Sequence, residues 1–382
     1  MRSVNSETCY GPLRAVDARV RRISTSFSAT CFSQRTAYQT ESPDDDREGN
    51  MILLTGATGR VGTAAGKALS RAGVPFRVLV RDPERMAVAG PDVQVVQGDL
   101  ADPASMGEAL QGISRALIVM GNHPDQADLE RQFASLAADA GVSHLVKVSS
   151  MEAAPEATAA LPKNHYDTEQ HIIGLGVDWT FLRPNYYMQN MLMYAASISR
   201  TGSFSLPLGG AKTAMIDARD VGEVAAVALT GADHAGQVYR LTGPSLMDFH
   251  EVAQRMGGVL QREIRYVEQT PAAFRAVLEQ FIQSVWQLDA VCELFAEIAA
   301  GSLEEQNSTT IGRNTCTVEE FTQNSRHMAR HHSVYSSCCR NQFSRNANFL
   351  RSLHHVVWVD WNAMSTDTNP WRVSMEVPFG CR

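Results

Sequence analysis

The sequence predicts an α/β protein: a doubly wound parallel sheet with a small C-terminal α+β lobe. Three observations predict it. Short apolar runs recur from residue 51 to 184, and helix-length segments or loops separate them. The runs are nearly continuous rather than alternating, as strands covered on both faces are. The first run leads into a glycine-rich turn that opens a helical pattern, the usual start of a nucleotide-binding sheet.

The elements follow in order. "MILLT" begins at Met51 as the first strand. A helical pattern through Ala64, Ala65, Ala68 and Leu69 closes at Gly73. "FRVLVR", "VQVVQGDL", "RALIVM", "HLVKVSS" and "DWTFLRP" are the next strands. After Pro184 the pattern is less regular. Thr270-Pro271 reads as a helix start. Phe274, Val277, Leu278, Phe281, Ile282 and Val285 recur at helical spacing and are read as a core face.

Four zones result: an extension over 1–50, a nucleotide-binding domain over 51–185 whose sheet later strands complete, a lobe over 186–326, and an irregular tail over 327–382. The extension holds Arg2, Arg14, Arg19, Arg21, Arg22 and Arg35, many serines and the run Asp44-Asp45-Asp46. It reads either as a transit-like segment or as a disordered extension. The tail carries Trp358, Trp361 and Trp371 among polar residues. His327, His331, His332, Cys338 and Cys339 have no second ligand pair at a zinc-site spacing, so no metal is assigned.

Composition narrows the function. The 382 residues carry a formal net charge of -7, which argues against nucleic acid as main partner. No apolar run approaches the roughly 18 residues of a membrane span. Of seven cysteines, only Cys292 and Cys316 lie away from the ends. That placement suits a reducing compartment, hence the cytoplasm, or an organelle matrix if residues 1–50 are a transit peptide.

"TGATGRVG" places Gly56, Gly59 and Gly62 between the first strand and the first helix. Glycines there permit a tight turn and let the backbone approach a pyrophosphate, which the helix N-terminus attracts. Thr58 adds a hydroxyl, and Val61 completes the loop. At the end of the second strand, Arg81 and Asp82 compete for the adenosine ribose. Arg81, with Arg60 as a second cation, favours NADP(H) over NAD(H). Asp99 and Leu100 in "QGDL" lie where the adenine edge would rest.

These stretches, together with "VKVSSM", "HYDTEQHIIGLGVDWTFLRPNYYMQN" and "IDARDVGEVAAVAL", resemble the NmrA-like group of atypical short-chain dehydrogenases/reductases. That group includes type-2 NAD(P)H:quinone reductases. The resemblance spans residues 51 to 322, and "WTFLRPNYYMQN" is its most specific part. It implies a Rossmann-type domain with a substrate lobe over the nicotinamide.

The wider superfamily reduces ketones with Tyr-x-x-x-Lys. In "LPKNHYDTEQ", Tyr166 would pair with the uncharged Gln170. The register that the resemblance implies sets Leu161 in the tyrosine place, His165 in the lysine place and Glu169 four residues on. Neither register holds the couple. A quinone needs it less, because its reduced oxygen can take a proton from solvent. His165 is therefore the candidate to stabilise a developing oxyanion or to hold the cofactor ribose. Asn185 and Tyr187 lie just past a strand's carboxyl end, where such sheets bind ligands. Tyr186 and Met188 would wall an aromatic acceptor. Asp217, Arg219 and Asp220 read as a helix cap with a surface ion pair. Two functions stand open. One is NADPH-dependent hydride transfer to a quinone or similar electrophilic carbonyl. The other is a non-catalytic NADP(H) sensor acting through a protein partner.

Overall fold

The computed structural model describes residues 51–306 and 315–325. The expectations for 1–50 and 327–382, including the three tryptophans and the His/Cys group, lie outside the described residues.

Seven strands form one parallel sheet. They are β1 (Met51–Leu54), β2 (Phe76–Val80), β3 (Val93–Gln97), β4 (Ile113–Ile118), β5 (His144–Val148), β6 (Asp178–Pro184) and β8 (Gln237–Leu241). Their order is β3-β2-β1-β4-β5-β6-β8. The chain winds outward through β3, then returns to the other side of β1. The carboxyl ends of β1 and β4 therefore border the crevice where such sheets bind ligands. Two further strands, β7 (Ser203–Leu206) and β9 (Arg265–Glu268), pair in parallel apart from this sheet.

Both faces of the sheet's centre are buried because β1, β2, β4, β5 and β6 carry continuous runs of buried residues, whereas the edge strands β3 and β8 stay largely open. Ile52 and Leu54 pack beneath α1 (Arg60–Ala72) and α6 (Ala218–Thr230). Leu53 faces the other way, toward α2 (Pro103–Leu110), α3 (Gln126–Asp139) and α4 (Ala160–Gly174). The alanine-rich face of α1 lets α6 approach closely. A Cβ on Gly222 of α6 would lie 2.4 Å from the Cβ of Ala64. Gly73 ends α1 in the left-handed conformation, as the sequence predicts.

A third apolar cluster builds the C-terminal lobe. It joins Phe204 of β7, Phe249 and Val252 of α7 (Phe249–Leu260), Tyr266 of β9 and Phe274 of α8 (Pro271–Leu278). α5 (Ala195–Thr201) and α9 (Val285–Ala299) flank it. The stripe from Phe274 to Val285 is a correction to the sequence reading. Ser284 caps a new helix by accepting from Gln287 N, so the stripe is split between α8 and α9. Phe274, Leu278 and Ile282 are core, whereas Val277 and Val285 are exposed. Among the described residues, no helix is long and apolar enough to cross a membrane.

Candidate functional site

The glycine loop is built from the end of β1. Thr55 Oγ1 donates to Leu117 O and accepts from Val119 N, which locks the ends of β1 and β4 together. Gly56 then turns into the left-handed region at φ 59°, and a Cβ there would sit 2.5 Å from Val119 O. Only glycine fits both demands. Gly59 N donates to Gly56 O at 2.9 Å and closes the turn. Gly62 packs so tightly beneath it that a Cβ would come within 2.2 Å of the same oxygen.

The N-terminus of α1 is left open toward the crevice. Its cap is Gly59, no side chain caps it, and its first turn has no acidic residue. In contrast, Asp102, Asp217, Asp248, Thr270 and Ser284 cap α2, α6, α7, α8 and α9. Uncapped N–H groups beside a glycine turn suit a pyrophosphate. Thr58 is half-buried at this turn, while Val61 points into the core beneath it.

Arg60 departs from the sequence reading. Its charge is felt by Tyr187 and Asp217, and burial lowers its pKa. It therefore lies on the β6 side of the loop. Arg81 follows β2 on the opposite side of β1, so the two arginines do not converge. Arg81 is exposed, and its carbonyl accepts from Gln97 Nε2. Asp82 accepts from Glu84 N and caps the short 3-10 turn Pro83–Arg85. Asp99 similarly accepts from Ala101 N at 3.1 Å, and Leu100 packs on the α2/α3 side of the sheet.

The floor of the site is a set of charges, part of which sequence reasoning missed. Lys147 of β5 and Glu130 of α3 form a 2.6 Å ion pair with side chains 0% and 1% exposed. Lys147 Nζ also lies 3.2 Å from His165 Nδ1 and 3.2 Å from Val148 O. Beside it, Arg183 of β6 makes a two-pronged bond to buried Glu169, which also accepts from Ser149 Oγ at 2.6 Å. Each cation has its own carboxylate. His165 is pushed well below its ordinary pKa by desolvation, then by the charges of Lys147 and Arg183. The signal for Lys147 was present in the sequence: a lysine amid the apolar residues of "HLVKV" must be paired if it is buried.

Residues 185–188 separate rather than converge. Asn185 is 2% exposed, and both ends of its amide are engaged. Nδ2 donates to Leu303 O at 3.1 Å, and Oδ1 accepts from Tyr186 N at 2.7 Å. The amide ties β6 to the lobe, which corrects its assignment as an acceptor ligand. Tyr186 and Met188 are core residues of the lobe, Tyr186 lying edge-on to Phe249 and Phe295. They correct the expected acceptor walls. Tyr187 alone stays half-buried beside Arg60, and burial raises its pKa. Asn185→Ala should therefore lower stability by about 1–3 kcal/mol, through two unsatisfied backbone groups. A denaturant melt beside a cofactor titration checks this, with affinity unchanged.

Asp217 is more than a surface pair. It is fully buried, caps α6 through Arg219 N, and accepts from Gln189 Nε2 at 2.7 Å. Burial opposes its ionisation, but Arg219 outweighs that and holds the carboxyl below its ordinary value. α4 is capped from afar: Glu297 accepts from Ala159 N and Thr158 Oγ1, and Glu293 accepts from Ala160 N.

A glycine turn at a sheet switch point, an open helix N-terminus and a charged floor define a dinucleotide-binding protein of Rossmann type. Residues 48–322 match the NmrA-like family, and the chain belongs to it. It is 34% identical to an NAD(P)H azoreductase of Xenophilus azovorans, over 71% of this chain and 96% of that protein. It is 40% identical to a (4-alkanoyl-5-oxo-2,5-dihydrofuran-3-yl)methyl phosphate reductase of Streptomyces griseus, over 61% and 86%. The structure of an NADPH-dependent quinone oxidoreductase of Escherichia coli complexed with NADPH is 28% identical. It covers 73% of this chain and 99% of that one, with a TM-score of 0.66.

Proposed function

We propose that the protein is an NADPH-dependent oxidoreductase that reduces a quinone or a similar electrophilic carbonyl. The observation that carries the reading is the contact of His165 Nδ1 with the buried Lys147 Nζ at 3.2 Å, beside burial and cations that lower the pKa of the ring. Neither register of its helix holds a Tyr–Lys couple to drive alcohol or ketone chemistry. Relatives named as an NAD(P)H azoreductase, a dihydrofuranyl-methyl phosphate reductase and a quinone oxidoreductase support the class.

The open α1 terminus and the glycine turn would hold the pyrophosphate, and Tyr187 with Arg60 would flank it. Bound there, a nicotinamide supplies the hydride. His165 donates a hydrogen bond to the acceptor oxygen that gains charge, and solvent supplies the proton that completes the hydroquinone. Preference for the 2′-phosphate is supported by Asp82, whose carboxylate is occupied by Glu84 N, while Arg81 is exposed next to it.

Arg81→Ala should weaken NADPH binding by about 1.5–3 kcal/mol and leave NADH nearly unaffected. Titrating both cofactors against both proteins checks this, and equal wild-type affinities for the two would overturn the preference. His165→Ala should lower turnover by about 10-fold or more with NADPH binding retained. Tyr166→Phe should change turnover little, because Gln170 stands where a lysine would have to partner its hydroxyl. The deciding experiment mixes protein, NADPH and a panel of quinones and enones anaerobically and follows absorbance. Tight NADPH binding without oxidation by any acceptor would sink the enzyme reading and leave the sensor.

A further inference from the structure

We infer that Lys147 is a positioning residue: it fixes the imidazole of His165 as the neutral tautomer with its proton on Nε2, and Glu130 acts by holding the ammonium in place. The inference rests on the reading of His165 as the group that faces the acceptor.

An ammonium has three protons and no lone pair, so every hydrogen bond it makes is a donation. Here the three have three acceptors: Glu130 Oε2 at 2.6 Å, Val148 O at 3.2 Å and His165 Nδ1 at 3.2 Å. The last bond is possible only if Nδ1 carries a lone pair. The ring's one proton is then on Nε2, and an imidazolium, which has protons on both nitrogens, cannot accept it. The lysine side chain is fully buried, so water does not compete for these bonds.

The arrangement relocates a charge. In the register implied by the family resemblance, His165 occupies the place of the superfamily's catalytic lysine on the helix. In this chain an ammonium stands behind that place, on β5. It does not reach the crevice itself. It instead presents a fixed N–H donor through the ring. The charged groups around the ring are Lys147 on β5, Arg183 on β6, Glu130 on α3 and Glu169 on α4. Burial opposes protonation of the ring most, and both cations act in the same direction. The imidazole therefore stays neutral as pH falls through the usual histidine range, about 6.5.

The test uses the full chain. Lys147→Met alone would leave the Glu130 carboxylate buried without a counter-charge, so the informative variant is Glu130→Gln with Lys147→Met. The 15N spectrum of the imidazoles is recorded from about pH 5.5 to 8, with His165→Gln identifying the signal among the 11 histidines. In the wild type, Nδ1 should resonate as an unprotonated nitrogen and Nε2 as a protonated one, without titrating. In the double variant the ring should mix tautomers, and its pKa should rise from the wild-type position while staying below the ordinary value, because burial and Arg183 remain. Turnover at pH 7.5 should fall by about 10-fold or more with NADPH affinity within about two-fold, and its pH profile should gain an inflection. A wild-type ring that titrates near 6.5 overturns the inference. So does a double variant that keeps the wild-type tautomer and turnover. The spectrum needs no substrate, so a protein that reduces no acceptor still reveals its tautomer, and the role of Lys147 stands or falls apart from the enzyme reading.

Discussion

Replacing Gly62 with valine should abolish binding of NADPH and NADH alike. The new Cβ would lie 2.2 Å from the Gly56 carbonyl oxygen and 2.9 Å from Ala57 Cα, all of it backbone that no rotamer change can move aside. The turn must open, and the uncapped N–H groups of α1 lose their shared aim at the pyrophosphate. A loss of at least about 100-fold, or roughly 2.7 kcal/mol, is expected for both cofactors. Fluorescence titration measures it, and circular dichroism reports whether the sheet survives. Binding within tenfold of wild type would show that the turn does not organise the site.

Glu130→Ala should be the most destabilising single change in the sheet's surroundings. It strands the Lys147 ammonium, 0% exposed, with only a carbonyl and an imidazole as acceptors. Breaking one side of a buried pair costs about 3–5 kcal/mol, or a fall in Tm of roughly 10 °C for a domain of this size. Replacing both members with neutral side chains of similar volume should cost far less, because no charge remains to be desolvated. Urea melts of the single and double variants decide the matter. A single change costing under about 1 kcal/mol would mean that water reaches the ammonium.

The strands and the first helix were legible because continuous apolar runs and a closing glycine are local signals. The glycine triplet was legible too, but not what each glycine does. Gly56 needs its left-handed φ and Gly62 needs space, whereas Gly59 has an ordinary φ of -85° and serves as an uncapped N-cap. Helical spacing from Phe274 to Val285 misled because spacing continues across a break that one serine cap imposes. Asn185, Tyr186 and Met188 were placed at the right strand end but assigned the wrong neighbours. Which side of a turn meets the lobe is a tertiary fact. The charged floor was legible only in part: His165 and Glu169 share a helical spacing on α4, whereas Glu130, Lys147 and Arg183 come from α3, β5 and β6, which no sequence spacing joins to them.

The capping of α4 by Glu293 and Glu297 bears on the order of events during synthesis. Residues 159 and 160 receive their acceptors from side chains 133 to 138 positions later. A nascent chain that has emerged only through β6 can pair its strands, but the first turn of α4 then ends in unanswered N–H groups and stays frayed. That turn comes immediately before His165. His165, one turn further on, is then expected to be held firmly only once α9 has been made and has docked. A stalled or clipped chain lacking α9 should retain the glycine turn while its imidazole is poorly held. Cofactor capture and turnover would then mature at different times on the same polypeptide.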